Sequence, residues 1–287
     1  MNSKILFALA VICFLLVSSS VGAFQLSGFQ NPYGVAVDDK TGKIYISNVN
    51  GDPDAEDGNG FISRLSADGE IEEIRSIEGT EKAPLNAPKG MEVYQSRLYI
   101  ADINKIRVYD TGTKAFLYNI NFGDLPVVAF NDIALGPDGS LYVTDAKANT
   151  IYRIEVGKQH EVTVFSSGDF LGQPRGITWS SARELFFVSA WGAGQVIALD
   201  RGGKRQALAA VEVAEPDGLS SDSTGSIYVA SPSFGGVFRI APNMALYSFA
   251  LGIARPVGIA VHPKLGQLIV AAAEGNQVSS YRLEEQR

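Results

Sequence analysis

The chain has 287 residues, of which 46% are hydrophobic and 19% charged, so it holds enough apolar material for a sizeable core and lacks the signature of a disordered chain. Its formal charge is −7 and no run of five or more basic residues occurs, which excludes nucleic acid and anionic membrane surfaces as natural partners. Length alone leaves one large all-β domain or two ordinary domains open.

In chain order, the first element is an N-terminal export signal. Lys4 precedes an apolar run over residues 5–17, followed by Ser18, Ser19, Ser20, Val21, Gly22 and Ala23. The run falls short of the roughly 20 residues that a membrane-spanning helix needs, and Val21 and Ala23 offer small residues for a signal peptidase. Residues 1–23 are therefore expected to be a signal peptide cleaved near Ala23, leaving a single domain at 24–287 that is secreted or periplasmic, without a membrane span. Removing Lys4 takes the formal charge from −7 to about −8. Cys13 follows Ile12 rather than a small residue, which argues against lipid attachment; no other cysteine exists, so the mature domain must be held by its core alone.

A repeat then organises the rest of the chain. Pro32-Tyr33-Gly34-Val35-Ala36-Val37 matches Pro88-Lys89-Gly90-Met91-Glu92-Val93 and Pro174-Arg175-Gly176-Ile177-Thr178-Trp179. Pro216-Asp217-Gly218-Leu219 and Pro256-Val257-Gly258-Ile259 continue it, and Phe130-Asn131-Asp132-Ile133-Ala134-Leu135 is a variant with Asp in place of Gly. The third positions fall at 34, 90, 132, 176, 218 and 258, a period of about 40 to 45 residues after a first interval of 56. Six copies with period-2 alternation predict an all-β, six-bladed β-propeller of four-stranded blades.

Second strands are expected at 43–48, 97–102, 140–145, 184–189, 226–231 and 267–272, with Tyr45, Tyr99, Tyr142, Phe186, Tyr228 and Ile269 at one equivalent position packing between blades. Third strands follow at 60–66, 105–110, 150–155, 195–200, 236–241 and 277–282, and weaker fourth strands include 161–165 and 245–250. The sixth blade runs out of chain after Arg282, so residues 24–30 are expected to supply its outer strand and close the ring.

Three stretches carry a family resemblance: Phe130 to Ala134 leading into Gly136-Pro137-Asp138-Gly139-Ser140-Leu141-Tyr142-Val143-Thr144-Asp145; Glu215-Pro216-Asp217-Gly218-Leu219; and Leu98-Tyr99-Ile100-Ala101-Asp102. The first two resemble SMP-30/gluconolactonase-like propellers and the third the related NHL repeat. The resemblance implies a divalent cation, usually calcium, in the central channel, used by the family's hydrolases to polarise an ester or lactone carbonyl. The ring equivalent to its ligands is the residue before the repeat's third position: Tyr33, Lys89, Asn131, Arg175, Asp217 and Val257. Asn131 and Asp217 match the family's metal-binding Asn and Asp, whereas Tyr33 stands where the resemblance places a Glu, and Arg175 where it places a second Asn. Calcium wants six to eight oxygens with strong anionic character, and an inward Arg175 would instead pair with Asp217 in place of the ion.

The first-blade interval is enlarged around residues 48–60, a Gly-rich loop bearing Asp52, Asp54, Glu56 and Asp57. It fails the EF-hand pattern, because Asp57 stands where Gly is needed and Ser63 where Glu is needed, which leaves a solvated loop, a ligand lid or another metal loop. His160 and His262 fall in turns away from the mouth, and no G-x-S-x-G, cysteine nucleophile or H-E-x-x-H motif occurs. Trp191 follows the fourth blade's second strand and is expected near the mouth, stacked on a ligand or on a neighbouring loop.

Three functions compete. In the first, Tyr33, Lys89, Asn131, Arg175, Asp217 and Trp191 bind a small, anionic ligand or a partner segment. In the second, Asn131 and Asp217 hold calcium in a lactonase or esterase, with Asp132 or Asp102 as proton-transfer carboxylate. In the third, the propeller is a protein-interaction scaffold of NHL type.

Overall fold

A computed structural model describes residues 22–206 and 211–283. The expected signal peptide lies almost wholly outside these residues, as does Cys13. Six four-stranded antiparallel sheets form the blades of a propeller. Blade 1 holds β2 (Pro32–Val37), β3 (Ile44–Asn48), β4 (Phe61–Leu65) and β5 (Ile71–Glu78). Blade 2 holds β6 (Pro88–Tyr94), β7 (Arg97–Asp102), β8 (Lys105–Asp110) and β9 (Phe116–Asn119). Blade 3 holds β10 (Phe130–Leu135), β11 (Leu141–Asp145), β12 (Thr150–Glu155) and β13 (Glu161–Ser167). Blade 4 holds β14 (Pro174–Ser180), β15 (Leu185–Ala190), β16 (Gln195–Leu199) and β17 (Val211–Glu212), and blade 5 holds β18 (Leu219–Ser221), β19 (Ile227–Ser231), β20 (Gly236–Ile240) and β21 (Leu246–Leu251). Blade 6 is built from β22 (Pro256–His262), β23 (Gln267–Ala272), β24 (Gln277–Arg282) and, from the opposite end of the chain, β1 (Gly22–Ser27).

Burial grades outward along each blade. Every residue of β3, β11 and β19 is buried, because a second strand is covered on both faces by the adjacent blades. Outer strands are more exposed: β9 alternates between half-buried and exposed residues, and β13 has one buried residue, Ser166. The core is accordingly split into six clusters, one at each blade junction. Ala36 and Tyr45 of blade 1 pack with Met91, Leu98 and Ile100 of blade 2, and Tyr142 of blade 3 packs with Ile177, Phe186 and Val188 of blade 4. The recurrent aromatic is thus an interblade wedge, and each such side chain contributes roughly 1.5–3 kcal/mol by leaving water.

Ring closure follows the expected route. β1 pairs antiparallel with β24, with Phe24 opposite Ser280 and Leu26 opposite Val278. Phe29, just beyond β1, is fully buried in the cluster that joins blades 6 and 1. His262 is a second clasp at this junction: its Nε2 lies 2.8 Å from the Gly42 carbonyl, and its Nδ1 accepts the Leu265 N–H at 3.2 Å. The first bond requires the proton on Nε2, so His262 is a structural residue. Among the described residues no helix is long and apolar enough to cross a membrane.

One irregularity of the inner strands positions everything at the channel. In β2, β6, β10, β14 and β22 the pairing with the second strand slips by one residue across the repeat's second and third positions, as between Pro32 and Val35 or Pro174 and Ile177. Such a bulge re-aims the side chains it carries, here toward the channel. Glycine at the third position lets inner strands converge: a Cβ on Gly258 would lie 1.9 Å from the Tyr33 carbonyl oxygen of the next blade.

Candidate functional site at the channel mouth

The bulges bring the predicted ring together. Tyr33, Lys89, Asn131 and Arg175 line a mouth cavity of about 300 Å³ with Pro53, Asp54, Ala129, Ala146, Lys147, Gln173 and Arg255. Asp217 and Val257 sit deeper, at a constriction of about 20 Å³ shared with Tyr33, Asn131 and Asp132, room for about one water.

Hydroxyls of the second strands fix this ring from behind. Ser47 Oγ accepts the Gly34 N–H and donates to the Lys89 carbonyl, both at 2.7 Å. Thr144 Oγ1 likewise accepts the Asp132 N–H and donates to the Arg175 carbonyl, and Ser189 Oγ donates to the Asp217 carbonyl. Each bond donated by a hydroxyl crosses a blade junction, so the backbone of three mouth residues is clamped by the preceding blade. The repeat did not reveal these clamps, because Ser and Thr recur in strands for many reasons.

Asp217 is 1% exposed and forms the hub. Arg175 Nη1 donates to its Oδ2 at 2.9 Å, and the Tyr33 hydroxyl lies 3.4 Å from both carboxylate oxygens. Asn131 Nδ2 donates to the Tyr33 oxygen at 3.1 Å. The Arg175 guanidinium in turn lies 3.4 Å above the centre of the Trp191 ring. Trp191 opens a short 3-10 turn, Trp191–Ala193, so its indole supports Arg175 from a fixed turn. Burial pushes the Asp217 carboxyl upward against the opposing pull of Arg175. Burial alone would lower Arg175, and Asp217 reverses that, leaving the guanidinium raised. Burial also raises the Tyr33 phenol, which stays neutral.

Lys89 is 8% exposed, yet its ammonium has no hydrogen bond or ion pair among the described residues. Burial lowers it, the Asp54 carboxylate partly restores it, and Arg175 lowers it again. The other three cations of the mouth each face a carboxylate: Arg175 faces Asp217, Lys147 faces Asp54 at 3.1 Å, and Arg255 faces Glu274 at 3.8 Å. The acidic loop therefore reaches across the opening, with Pro53 and Asp54 covering part of it.

Of the two expected proton-transfer carboxylates, Asp102 lies away from the mouth and Asp132 lines the constriction. Asp102 is 1% exposed; its Oδ1 accepts the Asn86 and Ala87 N–H groups, and its Oδ2 is bonded by Arg107. It caps the loop that enters β6, as Asp145 does for β10 and Asn48 for the loop before β2. That position holds a loop clamp, with both carboxylate oxygens of Asp102 already bonded. Asp132 lines the far side of the constriction, accepting the Ile133 N–H at 2.9 Å and the Ile177 N–H of blade 4 at 3.0 Å. Burial pushes its carboxyl up to about 7. It shares a second cavity of about 300 Å³, at the other end of the channel, with Asp39 and Glu92. Glu92 accepts the Leu135 N–H of blade 3 at 3.2 Å and is pushed up to about 8 by burial. Alternation from Gly90 would have placed Glu92 at the channel; it was overlooked because it falls outside the repeated triplet.

The ring does not fit a hard divalent cation. Its one carboxylate is held by a guanidinium, Asn131 turns its amide nitrogen toward Tyr33, and Lys89 and Arg175 bring positive charge to the same mouth. Among the described residues no group of three His, Cys, Asp or Glu side chains is arranged to hold a metal. The arrangement is suited to an anion.

Fold and site together define a six-bladed propeller with a polar, cationic channel mouth. The family model for the SMP-30/Gluconolactonase/LRE-like region matches residues 62–274, and the chain belongs to that family. Among solved structures, a gluconolactonase from Xanthomonas campestris is similar at a TM-score of 0.70 and 16% identity, covering 91% of this chain and 89% of that one. Virginiamycin B lyase from Staphylococcus aureus is similar at 0.65 and 19% identity, covering 91% and 99%. These identities establish a shared fold. No curated protein matches the chain at a significant level.

Proposed function

We propose that this propeller binds a small carboxylate-bearing ligand at the cationic mouth, and that Arg175 has taken the place of the family's metal beside Asp217. The observation that carries this reading is Lys89, a largely buried side chain whose ammonium has no hydrogen bond or ion pair among the described residues and faces a cavity large enough for a small molecule. A desolvated cation is costly unless paired, and an incoming carboxylate would supply the missing charge. Calorimetry against a panel of small mono- and dicarboxylates tests it. Lys89→Ala is expected to weaken binding by about tenfold or more, the scale of a hydrogen bond to a charged group; equal affinity in the variant would refute the reading.

Family membership favours a second reading, a calcium-dependent lactone or ester hydrolase with Asn131 and Asp217 as ligands. Stoichiometric calcium in the purified protein, lost in Asp217→Asn, would establish it over the first. Export is part of the proposal, supported by Lys4 and the apolar run that follows. Determining the N-terminus of the protein recovered outside the cytoplasm tests it, with a start near Phe24 expected.

A further inference from the structure

We propose that Lys89 is a nucleophilic amine that forms an imine with the carbonyl of a small oxo acid bound in the mouth. The proposal rests on the anion-binding reading above and adds a covalent step to it. Among the eleven residues that line the cavity there is no serine, cysteine or histidine, so the chemistry that acyl-transfer enzymes draw from those residues is absent from this wall. The two amines are Lys89 and Lys147, and their surroundings differ. Lys147 is more than half exposed and paired with Asp54. Lys89 is enclosed, unpaired among the described residues and backed by an inner strand whose carbonyl is clamped by Ser47.

A lysine that is desolvated and set near a second cation is held partly in its free-amine form, the state that attacks carbonyls. The net direction for Lys89 agrees: burial lowers it most, Asp54 and Asp217 oppose that, and Arg175 and Lys147 lower it further. The protonated fraction of Lys89 can pair with an anion, and the free-amine fraction is the one that can attack a carbonyl. An oxo acid uses both features, its carboxylate facing the cationic groups and its carbonyl facing Lys89. In the step itself the nitrogen lone pair forms a C–N bond to the carbonyl carbon. The nitrogen gives up two protons, and the carbonyl oxygen takes them and leaves as water. No oxidant or reductant is consumed.

The full mature protein is incubated with pyruvate and sodium cyanoborohydride, and the reduced adduct is mapped by peptide mass spectrometry. Lactate, which has the carboxylate but no carbonyl, is titrated in parallel by calorimetry. The expected result is an adduct that forms at Lys89 ahead of the exposed, paired Lys147 and that is lost in a folded Lys89→Arg variant. Binding of lactate and pyruvate without an adduct at Lys89, or labelling of Lys89 no faster than of Lys147, overturns the covalent step and leaves the anion site standing. If neither acid binds and no adduct forms, both readings fall.

Discussion

At Asp217 burial and charge pull in opposite directions, and burial prevails while Arg175 limits the rise. Removing the guanidinium in Arg175→Met would leave a buried carboxylate without its counter-charge, at a cost of roughly 3 kcal/mol. The sign of the pH effect follows. A carboxyl whose folded pKa lies above its unfolded value binds its proton more tightly when folded, so its contribution to stability is lost as pH rises from the unfolded value to the folded one. Arg175→Met is therefore expected to be more destabilised at pH 8 than at pH 5 in urea melts, and adding Asp217→Asn should remove most of the difference. A variant equally destabilised at both values would show that Asp217 does not depend on Arg175. Asp132 offers the same logic in the native chain. With its carboxyl at about 7, stability should fall between roughly pH 4 and pH 7, by at most about 4 kcal/mol. Asp132→Asn should flatten that limb; an unchanged slope would assign it to other groups such as Glu92. The ring itself was legible because Tyr33, Lys89, Asn131, Arg175 and Asp217 occupy one repeat position. The pairing of Asp54 with Lys147 was not, since it depends on the path of a loop across the mouth. The clamp made by Asp102 was not legible either, because a carboxylate at a strand end serves a loop clamp as readily as a reaction.

The inner strand is the element that turns a repeat into a site. Its bulge aims the second position of the motif at the channel, and glycine at the third position allows the neighbouring strand to approach. Gly258→Ala should cost about 1–3 kcal/mol or more, as overpacking does, because the added Cβ would meet the backbone oxygen of Tyr33 and no side chain can yield there. A denaturant midpoint unchanged from wild type would mean that blades 6 and 1 can separate freely. Ser47→Ala tests the clamp on Lys89. It removes the hydroxyl that joins the Gly34 N–H to the Lys89 carbonyl, and the loss should be about 1–2 kcal/mol for buried groups left unsatisfied. The strands were readable to within a residue or two, because alternation and turn residues act locally: the expected second strand at 97–102 is β7 and the expected third strand at 150–155 is β12. The bulges were not read from sequence, since a slip of register depends on which residue pairs across the sheet. Asp132 at the glycine position was the visible clue that one blade departs from the others.

At the scale of the whole molecule the fold is a ring of junctions, and each blade's hydrophobic face is completed by its neighbour. The structure has no cysteine among its described residues, so closure rests on β1 and on the contacts between blades 6 and 1. This makes the start of the domain a structural part of its end. Phe24 donates its N–H to Ser280 Oγ, Asn31 donates its own to Asn276 Oδ1, and Phe29 is buried between the two blades. Deleting residues 24–30 would strip the outer strand from β24, expose its edge to other chains and open the cluster that holds Phe29. Losing one buried aromatic and a strand's ladder amounts to about 5 kcal/mol or more, and in a domain of this size each kcal/mol is worth roughly 2–4 °C, so Tm should fall by at least about 10 °C. Light scattering should rise in the same scan, because an uncovered antiparallel edge invites pairing with another chain. An unchanged melt would mean that five complete blades and three strands of the sixth suffice to hold the ring. The proposed cleavage near Ala23 would meet the same constraint by keeping Phe24, whereas trimming beyond Phe29 should destabilise the protein as the deletion does.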